Sequence, residues 1–416
     1  MMTEIETNRQ HYPEIIKPLI ISKPFRFMWF GNSLSTFGSA ITNVILPIIV
    51  YNLTGSPIAM GIIMTAYLLP EVLILPFSGI IVDSFNRARI MRLADMTRFL
   101  LLLTVMVLSL SGHLTLHWLV GIVSLIGLMS GLFDPAFSAL RATVFVPEIR
   151  NSANALSQFT VQLLRLLGPS VGGMILTVTS AALGFGIDSV TYLISFFCLL
   201  ALTHEGKILN RTRKKLSFFK ECFAGVAIVR KQTWLWVTIV FFSFVNIGSS
   251  GTIAVLVPWL IKVHQHLPAY VYGLVMSGSA LGSIAAAFVF GMRKKWRHRG
   301  ILAYCGISIS GLVLFLMPSI DQTALLVLLM AFEGAGTMLF GLIWETSLQE
   351  LVAPEAFGRV ASIDMFGSFA LLPVGYLLTG WLASTIGGVL AMQLLSGVVC
   401  MASLLILLVP SIRRFT

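Results

Sequence analysis

Charged side chains are scarce in this sequence. Only 11% of the 416 residues are Asp, Glu, Lys or Arg, whereas 57% are hydrophobic, and the mean hydropathy is +0.91. In a soluble domain roughly a quarter of the residues are charged. Because so few charges cannot cover a surface that faces water, we expect the chain to lie in a lipid bilayer.

Patterns that support catalysis are also missing. The sequence has no G-x-x-x-x-G-K-[ST] phosphate loop, which argues against an internal ATPase. Its 4 cysteines show no C-x-x-C spacing, so neither a disulfide framework nor a metal site is indicated. The stretch GSSG at Gly248–Gly251 fits an intramembrane serine protease, but all 7 histidines fall in tails or loops, where none can serve as its base. We therefore expect no enzyme, no metal and no cofactor.

Apolar runs long enough to cross a membrane recur along the whole chain. Each holds about 20 predominantly apolar residues and lacks the strict alternation of β-barrel strands, so we predict helices. The predicted segments 1 to 12 cover residues 26–52, 57–83, 90–111, 115–146, 152–178, 180–203, 233–262, 268–291, 300–318, 323–353, 359–386 and 388–409. The predicted fold class is all-α integral membrane, with twelve transmembrane helices.

The basic residues predict the orientation of these helices. With the N-terminus inside, cytoplasmic segments hold 25 of the 28 Lys and Arg residues, as the positive-inside rule requires. An even number of crossings then places both termini in the cytoplasm. The net charge of +11 follows from this topology, so we expect no nucleic-acid partner.

A long polar segment divides the helices six and six. We predict a cytoplasmic tail at 1–25, a six-helix bundle at 26–203, a cytoplasmic linker at 204–232, a second six-helix bundle at 233–409 and a tail at 410–416. Phe219, Phe223 and Val226 in the linker follow helical spacing, which predicts an amphipathic helix on the membrane surface. The two bundles are weakly alike: SAITNVILP ends at Pro47, and GTIAVLVP ends 211 residues later at Pro258.

The stretch GIIVDSFNRARIMR, residues 79–92, collects charge between segments 2 and 3. It resembles the G-x-x-x-D-R-x-G-R-R loop of the major facilitator superfamily, with Gly79, Asp83 and Arg87 matching and Arg89 close by. A carboxylate facing arginines at a helix end can latch one helix bundle to the other. The alternative is that these residues only set the topology. Asn86 replaces the loop glycine, and Asn tolerates left-handed backbone well.

Other stretches narrow the resemblance. KPFRFMWFGNSLSTFG at 23–38, FDPAFSALRATVFVPE at 133–148, LLGPSVGG at 166–173 and EAFGRVASI at 355–363 look like the branch that contains macrolide-efflux proteins and siderophore exporters. The resemblance implies two six-helix pseudo-repeat halves and location in the bacterial cytoplasmic membrane. It also implies a substrate cavity lined by segments 1, 4, 7 and 10. We expect the protein to act as a monomer.

Polar residues recur at helical spacing on these segments and predict a wet cavity. Single Ser and Asn side chains often serve only as packing contacts between membrane helices. Four aligned stripes on four expected helices favour the cavity. The predicted cavity residues are Asn32, Thr36, Ser39, Asn43, Tyr67, Gln158, Asn246, Thr337, Phe340 and Trp344.

Ionisable residues inside the bilayer are functional candidates by default. Glu71 follows Pro70 in the middle of segment 2, and Glu333 lies in segment 10, each without an obvious basic partner. A carboxyl there is stable only if it is neutral, hydrogen-bonded or reached by water. Both are therefore candidate proton carriers, with Asp134 next in line. Asp134 and Arg165 lie at similar depth and are predicted to pair, either for structure or for gating.

These features together predict a secondary active transporter that works by alternating access. We expect export of an amphiphilic small molecule, such as a macrolide-like drug, in exchange for protons. Intramembrane acids outnumber bases, which favours a neutral or cationic substrate. The alternatives are an exporter of a siderophore or another metabolite, and a non-transport membrane protein such as a receptor or lipid scramblase.

Overall fold

A computed structural model describes residues 16–145, 149–202, 229–292, 296, 298–352 and 354–414. Within these ranges twelve helices are long and apolar enough to cross a membrane, as the sequence predicts. They are α1 Lys23–Thr54, α2 Pro57–Ser84, α3 Arg87–Leu110, α4 Leu116–Val144, α5 Arg150–Val178, α6 Ala181–Leu200, α7 Thr233–Gly251, α8 Ala269–Gly291, α9 Arg299–Leu316, α10 Thr323–Leu351, α11 Pro354–Phe369 with Leu372–Ile386, and α12 Gly388–Leu405.

Two helices depart from regular α geometry beside a proline. Around Pro258, α7 continues to His264 through two π-helical turns, Thr252–Leu256 and Leu260–His264. In α11 the helix breaks between Phe369 and Leu372, immediately before Pro373. Proline lacks the N–H that a helix needs and clashes with the preceding turn, so each distortion has a local cause.

Short connections join the helices where the chain reverses. Gly55 follows α1 with φ +62°, and Gly387 joins α11 to α12 with φ +89°, both in a region that favours glycine. Asn86 precedes α3, and its side-chain oxygen accepts a hydrogen bond from the Arg89 backbone N–H at 3.1 Å. Its φ is −65°, so the expected left-handed turn is not formed. Asn86 acts as a helix N-cap, which needs extended backbone.

The helices pack as two six-helix halves with matching neighbours. In the N-terminal half α2 packs on α4, α3 on α6, α3 on α4 and α1 on α5. In the C-terminal half α8 packs on α10, α9 on α12, α9 on α10 and α7 on α11. Each pair has a counterpart six helices later, which confirms the predicted pseudo-repeat of a major facilitator fold. Extensive contact between the halves comes from α2 against α11 and from α5 against α8.

The two halves meet towards one end of the bundle. We call this the sealed end; it carries the α1–α2, α5–α6, α7–α8 and α11–α12 connections. All the side-chain hydrogen bonds found between described residues of the two halves lie in the part of the bundle nearer this end. Tyr51 donates to the Val255 carbonyl at 2.5 Å, and Thr65 donates to the Pro373 carbonyl at 2.9 Å. The Ser170 and Ser277 hydroxyls form a hydrogen bond with their oxygens 2.8 Å apart.

The hydrophobic core divides accordingly. One cluster of buried side chains draws on both halves and includes Ile41, Met60, Val271 and Leu372 near the sealed end. At the opposite end, which we call the separated end, one cluster belongs to the N-terminal half and another to the C-terminal half. The core is thus continuous between halves only where they are sealed.

The predicted boundaries have mixed outcomes. The twelve segments agree closely with the observed helices, and α11 begins earlier than the predicted 359. Most of the 204–232 linker, with its predicted amphipathic helix, lies outside the described residues, as do positions 1–15. The limits of the domains and the cytoplasmic position of both termini stay predictions.

Candidate functional site

Close packing between α2 and α4 places two predicted acids near each other. A Cβ added to Gly127 would overlap the Tyr67 carbonyl oxygen, and one added to Gly131 would lie 2.9 Å from that of Glu71. The two backbones therefore touch, which only glycine allows. Glu71 lies against this contact, and Asp134 follows Gly131 by about one turn. The sequence predicts both acids separately, and the glycines bring them to one place.

Arg98 of α3 is the cation of this region. It is 5% exposed, and its guanidinium donates to the Ser130 hydroxyl at 2.8 Å. The guanidinium carbon lies 4.9 Å from the Phe133 ring centroid and 5.4 Å from that of Tyr192. Aromatic faces stabilise a cation electrostatically, most strongly where water is excluded. The protein therefore holds a charged group inside the membrane by surrounding it with rings and a hydroxyl.

Arg98 interacts electrostatically with a fully buried carboxyl group and with two that are more exposed. Asp95, one turn earlier on α3, is 0% exposed and lies 3.8 Å from Arg98. Its other oxygen accepts a hydrogen bond from Ser195 of α6 at 2.7 Å. Glu71 and Asp134 are within electrostatic range of Arg98 as well. Neither Asp95 nor the role of Arg98 is predicted from the sequence, although an Asp and an Arg three residues apart in an apolar segment indicate an ion pair.

The predicted Asp134–Arg165 ion pair is not formed in this structure. No ion pair within 4.0 Å joins them, and both side chains are exposed. The cation in electrostatic range of Asp134 is Arg98. The prediction rested on similar depth in neighbouring segments. Depth alone does not decide pairing, because the rotation of each helix about its axis determines where a side chain points.

The predicted stripe on α1 divides between two environments. The Ser39 hydroxyl meets the Tyr192 hydroxyl at 2.8 Å, inside the N-terminal half. Thr36 donates to the Asn32 carbonyl of its own helix at 2.7 Å. Asn43 is exposed. Ser39 therefore joins α1 to α6 while it is partly exposed, and the predicted water-facing stripe stays a prediction.

Asp188 of α6 is a buried acid whose two carboxyl oxygens both have hydroxyl partners. Thr42 donates to one carboxyl oxygen at 2.5 Å, and Thr191 donates to the other at 3.3 Å. The residue is 1% exposed. Asp188 therefore joins α6 to α1 through Thr42.

Glu333 of α10 has a different environment from Glu71. It is 3% exposed and accepts hydrogen bonds from Ser279 of α8 at 2.8 Å, from Thr337 at 2.9 Å and from Ser310 of α9 at 3.3 Å. No basic side chain lies within 4.0 Å of it among the described residues. Three hydroxyls thus hold a carboxyl between three helices without a counter-ion. Glu71, in contrast, is half-buried and makes no side-chain hydrogen bond to the described residues.

The remaining predicted cavity residues are spread over both halves. Tyr67 approaches the Ser130 hydroxyl at 3.4 Å, and Gln158 is exposed. Asn246 donates to the Ser368 carbonyl at 3.2 Å, which joins α7 to α11. Phe340 and Trp344 of α10 are 5% and 8% exposed and pack inside the C-terminal half. The sequence predicts that both line the substrate cavity.

The predicted latch is described in part. Gly79 is exposed on α2, and Arg89 is exposed on α3. The Arg87 guanidinium donates to the Ala139 carbonyl near the end of α4 at 3.1 Å, so the loop is tied to α4. Asp83 lies within α2, and its side chain is outside the described residues. The latch therefore stays a prediction.

Known transporters resemble this chain along most of its length. A family model described as Major Facilitator Superfamily matches residues 28–363 and 239–414. The chain is similar to the uncharacterised transporter YvqJ of Bacillus subtilis, at 23% identity over 88% of both chains. It is also similar to macrolide efflux protein A of Streptococcus pyogenes, at 22% identity over 91% of this chain and 94% of that one.

The similarity extends to a further relative and to a solved structure. The enterobactin exporter EntS of Citrobacter koseri is 21% identical over 98% of this chain and 97% of its own. The crystal structure of a point mutant of the nucleoside transporter NupG superposes with a TM-score of 0.74 at 10% identity, covering 92% of this chain and 99% of that one. The match to the family model and the twelve-helix, two-half architecture agree: the chain belongs to the major facilitator superfamily, and it is a multi-pass membrane transporter with relatives in efflux.

Proposed function

We propose that this transporter exports an amphiphilic small molecule by alternating access, in exchange for protons. One observation carries the proposal: the two halves make their described hydrogen bonds near one end, and their hydrophobic cores are separate at the other. Such an arrangement is one of the two end states of a rocking transporter. A cavity open at the separated end and closed at the sealed end can release its contents after the halves rock.

The charge distribution supports an orientation for this state. The loops at the separated end carry most of the basic residues, among them Arg87, Arg89 and Arg299, whereas Lys262 is the basic residue that falls at the sealed end. The positive-inside rule then places the separated end and both termini in the cytoplasm. The cavity faces inward, in the bacterial cytoplasmic membrane, and receives substrate from inside the cell.

Glu71 is the proposed proton carrier. It lies in α2 just beyond Thr65, whose hydroxyl reaches the other half, and it is within electrostatic range of Tyr376 on α11. A carboxyl at this position changes its surroundings whenever the seal between α2 and α11 opens. Arg98 is its nearby cation, and Asp134 is the second acid in reach. Protonation of Glu71 outside and release of the proton inside would couple one proton to each cycle.

Glu333 is the weaker candidate for this role. Its three hydroxyl partners all belong to the C-terminal half, and it lies inside that half.

Asp83 with Gly79, Arg87 and Arg89 is proposed as the latch that holds the halves in one state. The Arg87 contact to α4 lies within the N-terminal half, so the proposed latch between the halves rests on the resemblance of this loop. The substrate class rests on efflux relatives and on the excess of intramembrane acids over bases.

The decisive experiment measures substrate flux in proteoliposomes with and without an imposed pH gradient. The tested substrates are a macrolide, a lipophilic cation and a siderophore. The wild-type protein should concentrate one of the first two against its gradient, and an uncoupler should abolish this. Glu71→Gln should keep downhill exchange and lose uphill export. The matched control is Glu350→Gln, an acid that is 51% exposed at the far end of α10.

Three outcomes would overturn the proposal or part of it. Uphill transport of the siderophore alone would identify a siderophore exporter, which the similarity to EntS keeps open. Full gradient-driven transport by Glu71→Gln would place the proton carrier elsewhere, with Glu333 and then Asp134 to be tested in the same assay. Absence of any uphill flux would favour a receptor or lipid scramblase.

A further inference from the structure

The C-terminal half contains a small pocket with aromatic walls. It is lined by Thr238 and Phe242 of α7, Phe340 and Trp344 of α10, and Asp364 and Ser368 of α11, and its volume is about 110 Å³. The Phe242 and Phe340 rings stack with centroids 3.8 Å apart, and Phe340 stacks on Trp344 at 6.2 Å. Phe340 and Trp344 are predicted from the sequence as cavity residues, but this separate pocket is not.

The Asp364 carboxylate is part of the lining of this aromatic pocket. The Trp344 indole N–H donates to one oxygen of Asp364 at 3.1 Å, which orients the carboxylate among the rings. Its other oxygen accepts no hydrogen bond from a described side chain, and no described basic side chain lies within 4.0 Å. Asp364 is half-buried, so a ligand can reach it. A negative charge beside stacked ring faces is the chemistry that recognises an organic cation.

The pocket is preorganised by contacts just beyond it. The Ser243 hydroxyl donates to the Gly367 carbonyl at 2.7 Å, and Asn246 donates to the Ser368 carbonyl at 3.2 Å, so α7 and α11 are joined on one side of Asp364. Trp234 packs edge-on against Trp344 from behind, with centroids 5.7 Å apart. Walls that are already ordered need not be ordered by the ligand, which favours binding.

We infer that this pocket binds the protonated or quaternary amine group of the exported molecule. The inference deepens the proposed function and rests on it for the identity of the cargo. The volume suits a group the size of trimethylammonium, since pockets for whole drug-sized ligands are roughly 300–1,000 Å³. The apolar remainder of the molecule would lie outside the pocket, in the space between the halves.

Other ligand classes fit the pocket poorly. Glu345 is a second acid within electrostatic range of Asp364, so the site disfavours an anion. One carboxylate among aromatic rings lacks the several oxygen, nitrogen or sulfur ligands that a metal ion needs. A neutral apolar group would leave the free carboxylate oxygen without a partner, which is costly in a half-buried site.

The test compares two ligands that differ only in charge. Phenyltrimethylammonium and tert-butylbenzene have the same shape, with nitrogen replaced by carbon. Binding to the purified full-length protein in nanodiscs is measured by saturation-transfer NMR, and the signal from empty nanodiscs is subtracted. The wild type should prefer the cation by tenfold or more, about 1.4 kcal/mol. Asp364→Asn should reduce that preference to threefold or less and leave the neutral ligand unchanged.

Controls separate the site from loss of folding and from failure of the transport proposal. Glu350→Gln removes an exposed acid from the same half and should keep the full preference. Phe340→Leu should weaken cation binding several-fold through loss of a ring face, and Asp364→Glu should restore part of the preference. An unchanged preference in folded Asp364→Asn would overturn the inference. The binding assay needs no proton gradient, so it is independent of coupling. Coupled export by a wild-type protein that shows no preference for the cation refutes this pocket alone. A wild-type protein that prefers the cation but shows no coupled export refutes the coupling alone.

Discussion

The buried polar groups of the two halves differ although their helices pack alike. In the N-terminal half Asp95, Arg98 and Asp188 are each at most 5% exposed. Asp95 and Arg98 form an ion pair, and each of the three residues has a hydroxyl partner, Ser195, Ser130 and Thr42 respectively. In the C-terminal half the buried acidic or basic residue among those described is Glu333, which is held by hydroxyls. Aromatic rings also pack together in this half: Phe340 stacks on Phe242 and Trp344 and meets Tyr304 edge-on.

This comparison shows that a repeated backbone need not carry repeated chemistry. An internal ion pair keeps a permanent cation near the acids on α2 and α4, where it can act on their protonation. In the C-terminal half Glu333 is held by hydroxyls and has no such cation. Because no described basic side chain pairs with Asp364 either, that carboxylate is available to a ligand. Under the proposals above, the N-terminal half handles protons, and the C-terminal half handles the charged end of the substrate.

The largest effect should come from breaking the ion pair of the N-terminal half. Asp95→Asn and Arg98→Gln each strand one buried charge, which costs about 3–5 kcal/mol of unfolding free energy. The double variant removes both charges and should lose less than the sum of the two. Unfolding titrations with SDS in mixed micelles measure the cycle. Additive single effects would show that the two residues do not interact.

A smaller effect is expected at Glu333, because no counter-ion depends on it. Glu333→Leu should cost about 1–3 kcal/mol by leaving Ser279, Ser310 and Thr337 without their acceptor. Glu333→Gln keeps an acceptor oxygen and should cost less. The same SDS titration applies. A loss from Glu333→Leu as large as that from Arg98→Gln would remove the proposed difference between the halves.

A third experiment determines whether Asp134 interacts with Arg98 or with Arg165. Asp134→Asn combined with Arg98→Gln should show a coupling free energy of about 0.5–1.5 kcal/mol, because the groups interact across the α3–α4 interface. Asp134→Asn combined with Arg165→Gln should be additive within about 0.5 kcal/mol. Unfolding free energies of the six proteins give both cycles. Coupling to Arg165 alone would restore the pair that the sequence predicts.

The smallest effect is expected at the surface of the C-terminal half. Arg299 and Glu350 form an ion pair at 2.5 Å, but Glu350 is 51% exposed. Solvent screening limits such pairs to about 0–1 kcal/mol. Glu350→Gln should therefore change the unfolding free energy by less than about 1 kcal/mol, and the effect should diminish further in high salt. If Glu350→Gln lowered the unfolding free energy as much as a change in the Asp95–Arg98 pair, solvent exposure would not determine the strength of these ion pairs.

The fold follows closely from the order of residues in the chain. Hydropathy over about 20 residues predicts twelve helices, and the prolines at 258 and 373 lie where α7 and α11 lose regular geometry. These properties are local, since each helix satisfies its own backbone hydrogen bonds in lipid. The similarity between the stretches that end at Pro47 and Pro258 likewise agrees with the equivalent positions of α1 and α7 in the two halves.

The candidate site is only partly predictable in the same way. Glu71, Asp134 and Glu333 stand out because an acid in an apolar segment is costly wherever it points. Contacts between polar residues of different helices do not stand out in the sequence. Arg98 is the cation within electrostatic range of Asp134, the Ser39 hydroxyl meets Tyr192, and Trp344 donates to Asp364.

Sequence alone therefore determined that this protein crosses a membrane in twelve helices and carries ionisable groups at their middle. Tertiary structure alone decided which of those groups are paired, which are buried among hydroxyls and which face an aromatic pocket. The physical reason is that contacts between helices depend on close approach at residues such as Gly127 and Gly131 and on rotation about each helix axis. Neither is set by the periodicity of a single helix, because both are fixed only when neighbouring helices pack together.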